Sequence, residues 1–106
     1  MTTSPGEIYL VDLGLAAKSR PMLVLSRKDP EAPRALAICA PVTTAYRGSN
    51  YEIAIGKPKF LNEDSYVNVQ GLQAIQFHEL KKRLGTIPNF QMDEIKNSLK
   101  FAFDLE

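Results

Sequence analysis

The sequence predicts a mainly β, α+β domain: a strongly bent antiparallel sheet with a C-terminal α-helix packed on it. Three observations lead there. Short runs of strand formers recur between turns rich in glycine, proline and charge. Tyr66-Val67-Asn68-Val69-Gln70 alternates apolar and polar residues at the two-residue period of a strand. Near the end the period changes, and Met92, Ile95, Leu99, Ala102 and Phe103 return at helical spacing as one apolar stripe. A chain of 106 residues with 44% apolar content fits one compact domain, 1–106, with 1–5 as a loose N-terminal end.

Taken in order, Gly6 opens a first strand over Glu7 to Leu13, and Gly14 closes it. A second strand runs from Pro21 to about Ser26. Its run Met22-Leu23-Val24-Leu25 reads as a strand covered on both faces. Residues 27–34 form a loop dense in proline and charge, and a third strand covers Ala35 to Ala40, stopped or bulged by Pro41. Tyr51 to Ile55 alternates around Ile53 and Ile55. In the run from Tyr66 to Gln70, Val67 and Val69 face inward and Asn68 and Gln70 outward. After a kink at Gly71, Leu72 to Ile75 continues, and Leu84 to Ile87 makes a short last strand. Asn89 is placed to cap the helix, with Asp93 and Glu94 near its positive end.

Composition excludes several classes of function. A net charge of +1 carries no bulk attraction for nucleic acid, so a site for one must be local. The single cysteine, Cys39, cannot form an internal disulfide and reads as a small core hydrophobe. No apolar run reaches the roughly 18 residues of a membrane span, and no signal segment opens the chain, which points to a soluble cytoplasmic protein. His78 has no cysteine or second histidine at ligand spacing, and Glu63-Asp64 is a charged turn, so neither metal nor cofactor is expected. Lys81-Lys82-Arg83 reads as a solvated face.

One constellation stands out. Pro21 pushes Arg20 into an extended conformation at the mouth of a buried strand, leaving its guanidinium free to fork onto a phosphate. Pairing the second and third strands about the 27–34 loop sets Arg20 opposite Pro41, with Thr43 its diagonal neighbour on the same face. Asp12 falls on that face too in a looser register, as an orienting partner or an ordinary ion pair. Tyr46-Arg47-Gly48-Ser49-Asn50-Tyr51 mixes base and aromatic groups as single-stranded RNA sites do, and reads equally as a hairpin loop with a surface tyrosine.

Gly6 to Leu13, Ser19-Arg20-Pro21-Met22-Leu23-Val24-Leu25-Ser26, Ala40-Pro41-Val42-Thr43-Thr44, Ser65 to Gln70 and Lys82 to Ile87 together resemble the MazF/PemK (Kid-like) toxin endoribonucleases of type II toxin–antitoxin systems. The Arg-Pro strand and the Pro-Val-Thr strand end are the most specific parts. The resemblance implies an SH3-like barrel with a C-terminal helix, a homodimer, and metal-independent, sequence-selective cleavage of single-stranded mRNA leading to growth arrest. It also implies a MazE-like antitoxin partner, with DNA met only indirectly through that antitoxin. Arg20 matches the catalytic arginine and Thr43 the catalytic threonine; Tyr46, Arg47, Asn68 and Gln70 are the candidate RNA-binding residues.

The chain departs from the family at the short loop from Gly14 to Ser19. It departs again at Gln70, where an acidic residue is common, and at Gln73, where an arginine is common. These changes point to reduced activity or an altered cleavage sequence. The alternative reading is a non-nuclease toxin or binding module on the same fold, such as a gyrase-poisoning toxin acting by protein contacts.

Overall fold

A computed structural model describes residues 1–14 and 19–106. Seven strands and one helix follow in the order β1 (Glu7–Val11), β2 (Arg20–Val24), β3 (Leu36–Thr43), β4 (Glu52–Gly56), β5 (Ser65–Asn68), β6 (Gln73–Gln76), β7 (Leu80–Thr86) and α1 (Asn89–Ala102). All pairings among them are antiparallel, in the order β4-β5-β3-β2-β1-β7, with β6 paired to β3. The bent sheet does not close: β4 and β7 stand at its two ends. Residues 15–18 of the short loop read between Gly14 and Ser19 lie outside this description. In the segment 1–5, read as a loose end, Thr3 is buried and the Ser4 N–H donates to Glu7 Oε1 at 2.8 Å.

Alternation along the central strands divides the interior into two cores. Ile8, Leu23, Ala40, Ile53, Val67 and Val69 face α1, meeting Ile87, Met92 and Ile95. Tyr9, Val11, Met22, Val24, Ala37 and Cys39 face the other way, against Ile75 and Leu80. Met22, Leu23 and Val24 are at most 2% exposed because both faces of β2 are covered, as the unbroken apolar run requires. Burial also pushes the Cys39 thiol up to about 12, so it packs as a hydrophobe at neutral pH.

Pro41 does not end β3, which runs on to Thr43. On one side β3 pairs with β6 as far as Cys39 and with β5 from Val42, so Pro41 sits between two partners, where a missing N–H costs little. Gly71 packs against it: a Cβ there would meet Pro41 Cγ at 2.8 Å. The kink at Gly71 is a 3₁₀ turn over Val69–Gly71, and a second 3₁₀ turn over Phe77–Glu79 precedes β7. β7 begins at Leu80 instead of Leu84; as an end strand its Lys81, Lys82 and Arg83 face solvent, and Arg83 pairs with Glu7 at 3.3 Å. Pro88, not Asn89, is the N-cap of α1; no side chain caps that end, and no acid lies in the first turn. Met92 and Ile95 are buried, whereas Phe103 lies beyond the last turn and is exposed.

Candidate functional site

The site lies where the second core's face runs out. Past Pro41 that face meets no further covering strand among the described residues, and polar side chains line it beside Pro41 and Val42. The observed register sets Met22 opposite Pro41, so continuing it brings Arg20 level with Thr43 instead of Pro41. The two-residue offset leaves both side chains on one face, because faces repeat every two residues. Thr43 is in turn paired with Tyr66 of β5, and Tyr66 with Ala54 of β4; one step inward, Asn68 faces Glu52. Four strands thus present a row, Arg20, Thr43, Tyr66 and Ala54, with Asn68 and Glu52 behind it.

A cleft of about 740 Å³ opens over this face, lined by Arg20, Thr43, Arg47, Glu52, Asn68 and Gln70 among others. Five of the six residues singled out from sequence therefore share one cavity. Tyr46 stands at its border, its ring stacked on Tyr66 at 4.5 Å between centroids with 13° between planes. Gln73 lies on β6 opposite Cys39 and is not part of the lining. Asp12 does not join Arg20: Val11 is the residue facing Arg20, which turns Asp12 to the opposite face, where its Oδ1 accepts the Gly14 N–H at 2.8 Å.

Hydrogen bonds decide what each polar group has left to offer. Thr43 Oγ1 accepts the Ala45 N–H at 3.0 Å, so its O–H remains free to donate. Asn68 Oδ1 accepts the Gln70 N–H at 3.0 Å, leaving the amide nitrogen as a donor. Arg20 is exposed at the strand mouth, and the one ion pair among the described residues involves other groups. The cleft therefore offers donors and positive charge to an anion.

Glu52 is the member that sequence reading missed. Its Oε1 accepts both the Ser49 N–H at 3.1 Å and the Ser49 hydroxyl at 2.7 Å, and its Oε2 accepts the Arg47 N–H at 3.1 Å. These bonds, the Ser49 hydroxyl foremost, hold its carboxyl below the usual carboxylate range. Glu52 thereby fixes the loop that carries Tyr46 and Arg47. Ser98 of α1 fixes it from beneath, donating to the Asn50 carbonyl at 2.6 Å. A glutamate three residues after a serine, at the start of a strand, was the available signal. Among the described residues no cluster of three or more histidine, cysteine or carboxylate side chains could hold a metal ion, and no helix is long and apolar enough to cross a membrane.

Comparison with known proteins identifies the family. Residues 4–103 match the family model for the PemK-like, MazF-like toxin of type II toxin–antitoxin systems. Endoribonuclease MazF2 of Mycobacterium bovis is 31% identical, over 99% of this chain and 100% of that protein. Endoribonuclease MazF3 of Mycobacterium tuberculosis is 29% identical, over 84% of this chain and 86% of that protein. Among solved structures, an endoribonuclease in complex with its cognate antitoxin from a mycobacterial species superposes with a TM-score of 0.84 at 26% identity, over 98% of this chain and 97% of that one. A sheet of this order, a terminal helix and a match across nearly the whole length place the chain in the PemK-like, MazF-like toxin family of type II toxin–antitoxin systems.

Proposed function

We propose that this toxin is a sequence-selective, metal-independent endoribonuclease in which Arg20 and Thr43 carry out the reaction on single-stranded mRNA. The observation that carries the assignment is their convergence on one cleft, with the Thr43 hydroxyl proton left free to donate. The ribose 2′-oxygen attacks the adjacent phosphorus, forming the O2′–P bond as the bond from phosphorus to the 5′-oxygen breaks. The 2′ proton is lost and the 5′-oxygen gains one, giving a 2′,3′-cyclic phosphate and a 5′-OH. Charge accumulates on the phosphorane oxygens, and a preorganised guanidinium stabilises that state more than the ground state. Thr43 donates to a phosphate oxygen and holds the in-line geometry.

Glu52 is the carboxylate in the cleft lining, and its three hydrogen bonds and lowered pKa suit it to holding the loop rather than to taking the 2′ proton. Arg47 adds positive charge for the backbone, while Asn68, Gln70 and Tyr46 read or stack bases. The toxin acts in the cytoplasm as a homodimer, which lengthens a groove that one small domain supplies only in part. A cognate antitoxin tail laid along the same groove would silence it, competing with RNA in a salt-sensitive way.

Incubation of the purified protein with a long RNA in excess EDTA tests the reading. Cleavage leaving cyclic-phosphate and 5′-OH ends, abolished by deoxyribose at the cut nucleotide, is the expected result. Strict dependence on Mg²⁺, or a 5′-phosphate product, would overturn it.

A further inference from the structure

The stacked pair Tyr46 and Tyr66 does something beyond forming the cleft's border. Tyr66 sits directly across from Thr43, where cross-strand Cβ atoms lie roughly 4.5–5.5 Å apart, so it is the next side chain along the row after the two proposed catalytic groups. Ala54 is its partner on β4, and that small side chain leaves room above the sheet for a second ring. Tyr46 fills the room, near-parallel to Tyr66, while the residue as a whole remains 56% exposed. The loop beneath Tyr46 is anchored by Glu52 and Ser98, so the ring is held in advance of any ligand. A rigid, exposed aromatic face beside an anion site suits a nucleobase, since every base has a face to stack.

Charge then sets which part of a nucleotide stops there. Arg20 and Arg47 lie on the cleft side of the pair. On the far side of Tyr66 a recess holds Lys57 together with Glu63 and Asp64, and the recess beside Tyr46 holds Glu94, with Glu52 shared between that recess and the cleft. A phosphodiester backbone is drawn to the two arginines and not past the carboxylates.

Resting on the nuclease reading above, we infer that Tyr46, backed by Tyr66, is a stacking subsite for one nucleobase at the end of the bound tract. It takes a base near the cleaved phosphate and accepts purine or pyrimidine alike, so it adds affinity while the amides of Asn68 and Gln70 supply selection.

The test uses single-stranded oligonucleotides of the mapped cleavage sequence, with deoxyribose at the cut nucleotide and 2-aminopurine placed at one flanking position at a time. Fluorescence is quenched at a position on one side of the uncut phosphate. The quench disappears in Tyr46→Ala, weakens in Tyr66→Ala and persists in Tyr46→Phe, which keeps the ring. In cleavage assays Tyr46→Ala raises KM about 5- to 150-fold, the span expected for one lost base stack. Its kcat stays within about twofold, as for a group that binds ground and transition states alike. A Tyr46→Ala protein with the quench pattern and KM of the parent would overturn the subsite. The quench reads binding without cleavage, so the two readings fail separately. Normal cutting by Arg20→Ala, with the Tyr46-dependent quench intact, breaks only the catalytic assignment. Loss of cutting in Arg20→Ala, with no Tyr46-dependent quench at any position, breaks only the subsite.

Discussion

Two loops leave opposite ends of β3, and they differ in a way their composition hides. The loop over 27–34 carries Arg27, Lys28 and Arg34 beside two prolines, a richer store of positive charge than the loop over 44–51, which has Arg47 alone. Yet its internal bonds are local: Asp29 accepts the Glu31 N–H at 3.0 Å and the Ala32 N–H reaches the Asp29 carbonyl at 3.3 Å. The 44–51 loop is instead tied to three elements, through Glu52 of β4, Tyr66 of β5 and Ser98 of α1. Charge count would pick the first loop as the anion site. Anchoring picks the second, because an arginine binds a phosphate productively only where its geometry is set in advance.

The largest expected effect tests the two ends directly. Arg20→Ala and Thr43→Ala each lower the cleavage rate by about 10²–10³, the usual loss for one transition-state donor. The melting temperature stays near the parent's, since neither side chain belongs to a core. Arg20→Lys is also severely impaired, because an ammonium lacks the planar fork. Arg27→Ala and Arg34→Ala, at the other end, leave the rate near the parent's. A rate loss from Arg34→Ala matching that from Arg20→Ala would erase the distinction between the loops.

A smaller effect should separate the anchors. Ser98 is 6% exposed and lies far along the chain from its partner, the Asn50 carbonyl. Ser98→Ala leaves that carbonyl short of a donor, a loss of about 1–3 kcal/mol in denaturant unfolding. Asp29→Ala in the exposed turn costs under about 0.5 kcal/mol. Equal losses at the two positions would mean that the 44–51 loop is no better held than its counterpart.

What could be read from the sequence follows the same division. Met22 to Val24, Val67 and Val69, and Met92 and Ile95 were legible because burial writes a local period of one, two or 3.6 residues. The meeting of Arg20 and Thr43 was legible as a shared face. The exact pairing was not, because the length of a loop does not fix the register it closes to the residue, and β3 runs through Pro41 when its flanking partners change there. The first half of β7 was hidden since an end strand facing solvent need not alternate at Lys81, Lys82 and Arg83. The helix cap was misplaced because Asn89 matches a capping residue by type, while the backbone makes Pro88 the last extended residue. The stack of Tyr46 on Tyr66 was invisible, since it depends on how a loop folds back over a strand distant in sequence, whereas Glu52 left a local signal in the serine three residues before it.

The smallest effect concerns Glu52 and has a definite sign. The Ser49 hydroxyl, then the Arg47 and Ser49 amides, favour its charged form, so its pKa is lower folded than unfolded. A lowered carboxyl pKa contributes stability that is fully present above the unfolded value, 4.5 for the free group, and lost as pH falls through the folded value. Acid should therefore loosen the 44–51 loop before it touches the cores. The Arg47 and Ser49 amide protons report this in a pH titration by NMR: both shift together, with a midpoint below 4.5. In Glu52→Gln that shared transition disappears from both amides, while the amides over 27–34 keep their parent behaviour. Glu52→Gln retains acceptor oxygen but only one, so the loop is weakened rather than released, and RNA affinity falls less than in Tyr46→Ala. A midpoint above 4.5, or a shared transition that survives Glu52→Gln, would show that the carboxylate does not hold the loop. The contrast between the two ends of β3 would then rest on Ser98 and the stacked rings alone.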